Sequence, residues 1–469
     1  MRLNNIRVTP ATISDFNQLA FRLKEWLSAG ISVDRIAVNI NEAIYEICEK
    51  SITKRKIKVN IPESRANCSS KNFHAIAEAN LKMYTKCVED SAAEDTTLSY
   101  LLAWQENKIF AETSEEKEYN IRKNATWKQV SKSDPRKMWK MIDYKNDAQK
   151  KREPTISPPV IHKYFCSIFQ AHHLAVKPTV DDVLNDLENY HCYHRELDAD
   201  FTYADLNRSI HEIGRGIGLD GLDKNIAHLF PKSLREALLQ FLNLVFDTQY
   251  PDEWTSQILR PEVKKGHSFK TPKLRGVAIS SMLPTIYDIL IDNRFKPWYV
   301  INPEQAGFRE LMGCLIQIFA IYLLMELAKS LGESIFIGFI DYEKAFDFVN
   351  RCDIVKDLMS ENAGSRFVKA VANMYRNTYY VPKISETTSG EPILARHGVT
   401  QGRKSSTSLF SFAMRKIPKA VKLEDSFLNG NHIFQLADDS SVVTSLFREL
   451  NSGFGQIIDA SNIKFMVKN

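Results

Sequence analysis

A run of six apolar or glycine residues that breaks on a carboxylate, Ile335-Phe-Ile-Gly-Phe-Ile340 and then Asp341, constrains this chain more than any other feature. Continuous apolar runs of this length read as short buried strands. Glu343, Lys344, Ala345 and Phe346 follow as the turn into a helix. Asp341 is therefore expected where strand gives way to helix, the crevice in which open α/β sheets keep their ligands. A carboxylate in that position suits a metal. Taken alone, the segment reads first as a strand that merely ends on a solvated Asp, since such ends are common.

A second acidic centre changes the weighing. His432-Ile-Phe-Gln-Leu-Ala-Asp-Asp-Ser-Ser-Val-Val-Thr444 reads as a strand, a tight turn carrying Asp438 and Asp439, and a second β-branched strand. Adjacent carboxylates in a tight hairpin repel each other unless a cation neutralises them. Hard oxygen ligands with no cluster of His or Cys nearby point to Mg²⁺ over zinc. An ordinary Asp-rich turn, favoured for its local hydrogen bonds, is the competing reading.

Between the two centres stands Gly398-Val-Thr-Gln-Gly402, followed by Arg403-Lys-Ser-Ser-Thr-Ser-Leu-Phe410. Phe-Ile-Asp-x-x-x-Ala-Phe-Asp, then Gly-Val-x-Gln-Gly with Ser and Leu-Phe behind it, then Ala-Asp-Asp, resembles in that order the palm of a reverse transcriptase. Among those enzymes the chain is most similar to the polymerases of non-LTR (LINE-type) retrotransposons. Each motif is weak alone. Three in the right order, with the outer aspartates 97 residues apart (341 to 438), form a specific pattern.

The resemblance implies roles for particular residues. Asp341, Asp438 and Asp439 become the catalytic acids and the ligands of two Mg²⁺ ions. Phe346 matches the family's aromatic gate, where a ring beneath the sugar would clash with a ribose 2′-OH and so select deoxynucleotides; its other reading is a core Phe in an amphipathic helix. Gln401 and Gly402 are expected at the nucleotide, the glycines of this block letting backbone approach a base pair. Lys264 and Arg275, on an expected fingers hairpin, are the candidates for clamping a triphosphate, with a basic surface loop as the plain alternative. Gln305, Gly307 and Arg309, in Gln305-Ala-Gly-Phe-Arg309, fit the block that helps to hold template. Departures from the family pattern are Glu310-Leu-Met-Gly-Cys314 in place of a basic run, Leu436 in place of an aromatic residue, and Arg403-Lys404, two cations beside the site that would favour nucleic acid.

Upstream, Phe16, Leu19, Leu23, Trp26 and Leu27 recur at helical spacing, as do Ile36, Ile40, Ala43, Ile44 and Ile47. Residues 1–155 are accordingly expected to form a helical linker or extension. The run Lys54-Arg-Lys-Ile-Lys58 reads as a solvated charge run, a phosphate contact or an import signal. Pro154, Pro158 and Pro159 mark a boundary, with the fingers and palm expected over 156–469. His172 and His173 lack a partner at metal-ligand spacing. Thr202 is expected to cap a helix through Ile210. The matches Phe201-Thr202, Gly218-Leu-Asp-Gly221 and Pro251-x-x-Trp254 resemble the finger extension of non-LTR polymerases. Leu311 to Leu327, interrupted by Gln317 and Glu326, reads as a buried helix and not as a membrane span. The segment from Ile457 to Asn469 resembles the start of the family's next block, so fingers and palm without a thumb are expected.

Composition narrows the setting. Lys and Arg number 62 against 57 Asp and Glu, for a formal charge of +5, which alone does not demand a nucleic-acid partner. The 7 cysteines form no Cys-x-x-Cys pair and favour reduced thiols inside the cell, nuclear or cytoplasmic, over a secreted disulfide frame. The resemblance to reverse transcriptases implies an α+β polymerase right hand, with the helical pattern upstream as an N-terminal extension. Its expected activity is RNA-directed DNA polymerisation, with an RNA template, a DNA primer, deoxynucleotide triphosphates and two Mg²⁺. The alternative is an inactive retroelement remnant that at most binds RNA. A viral-type RNA-dependent RNA polymerase is disfavoured by Gln401-Gly402, by Ala437 before the acids and by Phe346.

Overall fold

The computed structural model describes residues 6, 8–51, 158–170, 179–263, 274–309, 312–342, 344–383, 390–421 and 433–461. Helix α1 (Pro10–Ser28) opens on a capping box, the Thr9 hydroxyl accepting from the Thr12 amide at 3.2 Å, with Pro10 in the first turn where its missing N–H costs nothing. Its buried stripe is Phe16, Leu19 and Leu23; in α2 (Val33–Lys50) Ile36, Ile40, Ala43, Ile44 and Ile47 are all buried. After α3 (Pro158–Phe169) and α4 (Val180–Leu187) comes a single turn, α5 (Arg195–Asp198). Thr202 then caps α6 (Tyr203–Glu212) with Asp205 completing the box, and α7 (Lys232–Asp247) follows.

Strands β1 (Ser256–Val263) and β2 (Leu274–Ile279) form an antiparallel hairpin. Helix α8 (Met282–Trp298) is buried over most of its length, from Met282 to Phe295, and takes two acids, Asp288 and Asp292, into the core with its apolar residues. Next come α9 (Cys314–Leu331), β3 (Phe336–Ile340), the one-turn α10 (Ala345–Phe348), α11 (Arg351–Ser360) and α12 (Ser365–Arg376). Strands β4 (Thr378–Pro382) and β5 (Ile393–Ala395), helices α13 (Lys404–Met414) and α14 (Lys416–Ala420), strands β6 (Ile433–Leu436) and β7 (Asp439–Thr444), and α15 (Phe447–Ser461) complete the described chain.

Two sheets result, in an α+β fold. One has the order β2-β1-β4-β5, with β1 and β4 parallel. Ile161, Phe165, Ile168 and Phe169 of α3 pack with Leu259, Leu274, Tyr380, Ile393 and Ala395 of that sheet as a small separate core. The other sheet is antiparallel, β3-β7-β6, and α15 lies against it with Phe454 and Leu450 over Gly338. The main core joins α1, α2, α7, α8, α11, α12 and α13, with ring contacts such as Phe16 to Phe230 at 5.6 Å and Phe295 to Phe412 at 5.4 Å.

Two expectations meet the structure differently. Helix α9 is not buried: Ala328 is its only buried residue, and Leu315, Ile318, Phe319 and Tyr322 lie exposed. It is long and apolar enough by composition to cross a membrane. Apolarity made it a core helix on paper, yet among the described residues the packing of its neighbours buries only Ala328. The expected boundary at 155 also divides differently from the packing, because α1 and α2 share the main core with α7 and α8. Residues 54–153, with the run from Lys54 to Lys58, lie outside the described residues, as do His172 and His173.

Candidate active site

Strand pairing alone brings the acids together. Ile340 is opposite Ser440 and Leu436 is opposite Asp439, so Asp341 follows β3 just as Asp439 begins β7, and Ala437-Asp438 is the two-residue turn between β6 and β7. Asp341 and Asp439 are exposed, and Asp438 is half-buried. Partial desolvation, and then the neighbouring charges of Asp438 and Asp341, hold the Asp439 carboxyl above its ordinary value. Tyr342 anchors the other side. It is buried, and that burial pushes its pKa to about 12.

Among the described residues no group of three carboxylate, imidazole or thiolate side chains converges closely enough to grip a metal unaided. The donor set nevertheless suits Mg²⁺, which is usually held by one or two carboxylates together with water and substrate phosphates. An all-protein cage is not required.

The turn is held from below. Gln305 is buried, 2% exposed; its Oε1 accepts from the amides of Ala437 (2.8 Å) and Gly307 (2.7 Å), and its Nε2 donates to the Ala437 carbonyl (3.1 Å). Gly307 lies where a Cβ would collide with the Ala437 backbone nitrogen. Arg309 bends back, its Nη1 donating to the Gln305 carbonyl at 3.4 Å. Gln305 and Gly307, expected at the template, lie against the acidic turn. Phe308 alone in this block is directed outward, 49% exposed, with its ring edge-on to Phe346 at 5.9 Å.

Phe346 is half-buried and stacks on Phe410 of α13 at 4.1 Å with the rings 10° from parallel. Its carbonyl accepts from the Val399 amide at 2.8 Å, and the Val349 carbonyl accepts from Gly398 at 2.8 Å. The Gly398–Gly402 loop is thereby laced to the α10 turn. Gln401 extends the lacing, its Nε2 donating to Asp347 Oδ1 at 3.2 Å and its carbonyl accepting from Ala278 of β2 at 2.8 Å. Gly402 has φ +119°, and a Cβ there would collide with the Ala278 carbonyl. The close approach that this glycine permits is to the protein's own strand.

Arg275 is exposed on β2, opposite Glu262 in register and three residues from Ala278. Lys264 lies outside the described residues. Arg403 and Lys404, expected to favour nucleic acid, are engaged within the protein. Arg403 is 5% exposed, donates to the Tyr250 hydroxyl at 3.2 Å and lies over that ring; Lys404 pairs with Glu212 at 2.9 Å.

Three residues escaped the sequence reading. Buried Arg351 donates to three carbonyls, Gly398 (2.7 Å), Tyr375 (3.0 Å) and Ala395 (2.8 Å), gathering the loop, α12 and β5 onto one guanidinium. Nothing in its surroundings in sequence announces this. Buried Asp288 accepts from the Lys404 amide at 2.9 Å and from the amide and hydroxyl of Ser405, capping α13, while Asp292 accepts from Ser408 at 2.5 Å. Two acids four residues apart among the apolar residues of 282–291 and just beyond were a signal available in the sequence.

Residues 263–459 match the family model of the reverse transcriptases (RNA-dependent DNA polymerases). Similar proteins include the retrovirus-related Pol polyprotein from the type-2 retrotransposable element R2DM of Drosophila melanogaster, 24% identical over 55% of this chain and 24% of that protein. Another is the Pol polyprotein from the type-1 retrotransposable element R2 of Bradysia coprophila, 24% identical over 35% of this chain and 20% of that protein. A third, the transposon TX1 uncharacterized 149 kDa protein of Xenopus laevis, is 27% identical over 46% of this chain and 17% of that protein. The matches span about a quarter or less of those relatives' lengths. Among solved structures, telomerase from Candida tropicalis, in complex with a TWJ fragment of telomeric RNA, aligns with TM-score 0.34 at 11% identity over 47% of this chain and 41% of that one, too slight a likeness to build on. On the family match and these relatives, the chain carries near its C-terminal end a reverse transcriptase domain with distant homology to the Pol proteins of non-LTR retrotransposons.

Proposed function

We propose that this domain is an RNA-directed DNA polymerase that joins a DNA primer's 3′ oxygen to the α-phosphorus of an incoming deoxynucleotide, releasing pyrophosphate, on an RNA template. The observation that carries this reading is the meeting of Asp341, Asp438 and Asp439 at one end of the β3-β7-β6 sheet, where Asp439 feels the charges of the other two. Asp341 and Asp438, with Asp439 beside them, would hold Mg²⁺. The chemistry supplied by bound magnesium there is charge stabilisation on the attacking and leaving oxygens. The antiparallel sheet is then the palm, the β1-β2 hairpin belongs to the fingers, and the right hand runs over 156–469 with the helical region before it as an extension.

The protein's own groups would orient the reactants. Phe346, backed by Phe410, offers a fixed ring edge to the sugar. The Gly398–Gly402 loop, laced to that turn and to β2, would set the floor of the nucleotide pocket, and exposed Arg275 is free to meet a triphosphate. This work belongs inside the cell, where the RNA, primer and nucleotides are found.

Primer extension by the purified chain, with RNA or DNA template and Mg²⁺, is the deciding experiment. Template-directed addition that Asp341→Asn and Asp438→Asn abolish, with unchanged far-UV circular dichroism, is the expected result. RNA binding without addition would favour the remnant reading.

A further inference from the structure

Ala437 is a residue in the wrong conformation for its type. It has φ +58°, the left-handed region that a two-residue hairpin turn demands and that Asn or Gly usually supplies. Its Cβ makes that conformation strained, and strain persists only where the surroundings over-determine it. The surroundings here are Gln305, whose carboxamide takes both polar groups of the Ala437 backbone, N–H at 2.8 Å and carbonyl at 3.1 Å. Gln305 is itself set in place. The Ala306 amide donates to the Gln435 carbonyl and the Gln435 amide to the Glu304 carbonyl, each at 2.8 Å, so the segment lies parallel to β6.

We propose that Gln305 is a positioning residue, whose carboxamide holds Ala437 in its left-handed conformation and so aims the adjacent Asp438 and Asp439 at the reacting phosphate. The proposal rests on the polymerase reading for the reaction, and on geometry alone for the clamp. A template contact would need the amide to reach outward, whereas the side chain is buried, with Oε1 accepting twice and Nε2 donating to the turn. Gly307 is required by the same device, since only a residue without a Cβ lets the turn settle onto this segment.

The test is a cycle of Gln305→Ala, Ala437→Gly and the double variant, read by single-nucleotide addition and by thermal melting. Gln305→Ala should lower kcat on the order of a hundredfold, the usual cost of misplacing catalytic groups by a fraction of an ångström to an ångström. KM for the nucleotide should stay within about threefold, because binding is not what is lost. Glycine adopts positive φ without strain, so in the Ala437→Gly background the same substitution should cost about tenfold or less. Equal losses in both backgrounds, or a loss confined to KM, would overturn the proposal. If the wild type adds no nucleotide, the polymerase reading falls and the catalytic role with it. Melting still judges the clamp in that case: Gln305→Ala must lower Tm less in the Ala437→Gly background, and equal lowering overturns it.

Discussion

Asp439 is the side chain whose protonation reports on the whole acidic centre. Partial desolvation and the charges of Asp438 and Asp341 raise its pKa, so the folded state binds that proton more tightly than the unfolded chain does. Stability from this group is therefore full at acid pH, declines as pH rises from the ordinary carboxylate value through the raised one, and stays lower above it. Asp439→Asn should accordingly raise Tm at neutral pH, with the gain vanishing below the ordinary carboxylate range. Millimolar Mg²⁺ should raise the wild-type Tm at neutral pH, since a cation bound only by the folded state stabilises it, and Asp438→Asn should remove that rise; differential scanning calorimetry across pH measures both. Phe346 gives a second test. Phe346→Val should increase ribonucleotide incorporation relative to deoxynucleotide, at a stability cost of about 1–3 kcal/mol from the ring lost against Phe410. An unchanged incorporation ratio in competition assays would leave Phe346 as a packing residue.

Among the elements, the Gly398–Gly402 loop depends most on distant support. It carries no regular hydrogen-bond ladder of its own, and its carbonyls and amides go instead to Arg351, α10 and β2. Arg351 is a buried cation, and among the described residues no carboxylate pairs with it. Burial lowers its pKa from the ordinary arginine value, and three carbonyl dipoles offset the desolvation. Arg351→Met, close in length but unable to donate, should leave those carbonyls unpaired and cost about 1–3 kcal/mol in urea unfolding. Amide exchange should quicken at Gly398 and Val399 while the amides of α8 remain protected; unchanged exchange would show that the loop stands without the guanidinium. Helix α13 has comparable outside support, since Asp288 supplies from α8 the N-terminal acceptor that Arg403 does not provide.

For the molecule as a whole, the packing of α1 and α2 decides what counts as one cooperative unit. Phe16 is 1% exposed and meets Phe230, and Thr12 bonds to Ser51 at 2.9 Å, so the first two helices brace each other while packing into the main core. Phe16→Ala should lower the stability of the whole unit by about 3–5 kcal/mol. Near-UV signals from the main-core tryptophans should shift to the same lower denaturant midpoint. Separate midpoints for α1-α2 and for the main core would make the N-terminal pair an appended module.

What could be read in the chain were the features that local physics decides within a few residues. Apolar runs became β3, β6 and β7, a 3.6-residue stripe became α1 and α2, and Thr202 capped α6, because backbone geometry and capping depend on near neighbours. The meeting of the acids was legible only through the resemblance of the three ordered motifs to a polymerase palm, since it needs β3 to pair with β7 far along the chain. Three features were decided only by tertiary structure. Gln305 reaches a turn 132 residues away, and Asp288 caps a helix 116 residues away. Such pairings leave no periodic trace, because a polar side chain satisfied at long range looks the same in sequence as one directed to solvent or ligand. The exposure of α9 is the converse case: apolarity states what a helix gains by burial, while only the packing of the other elements determines whether a surface is there to bury it.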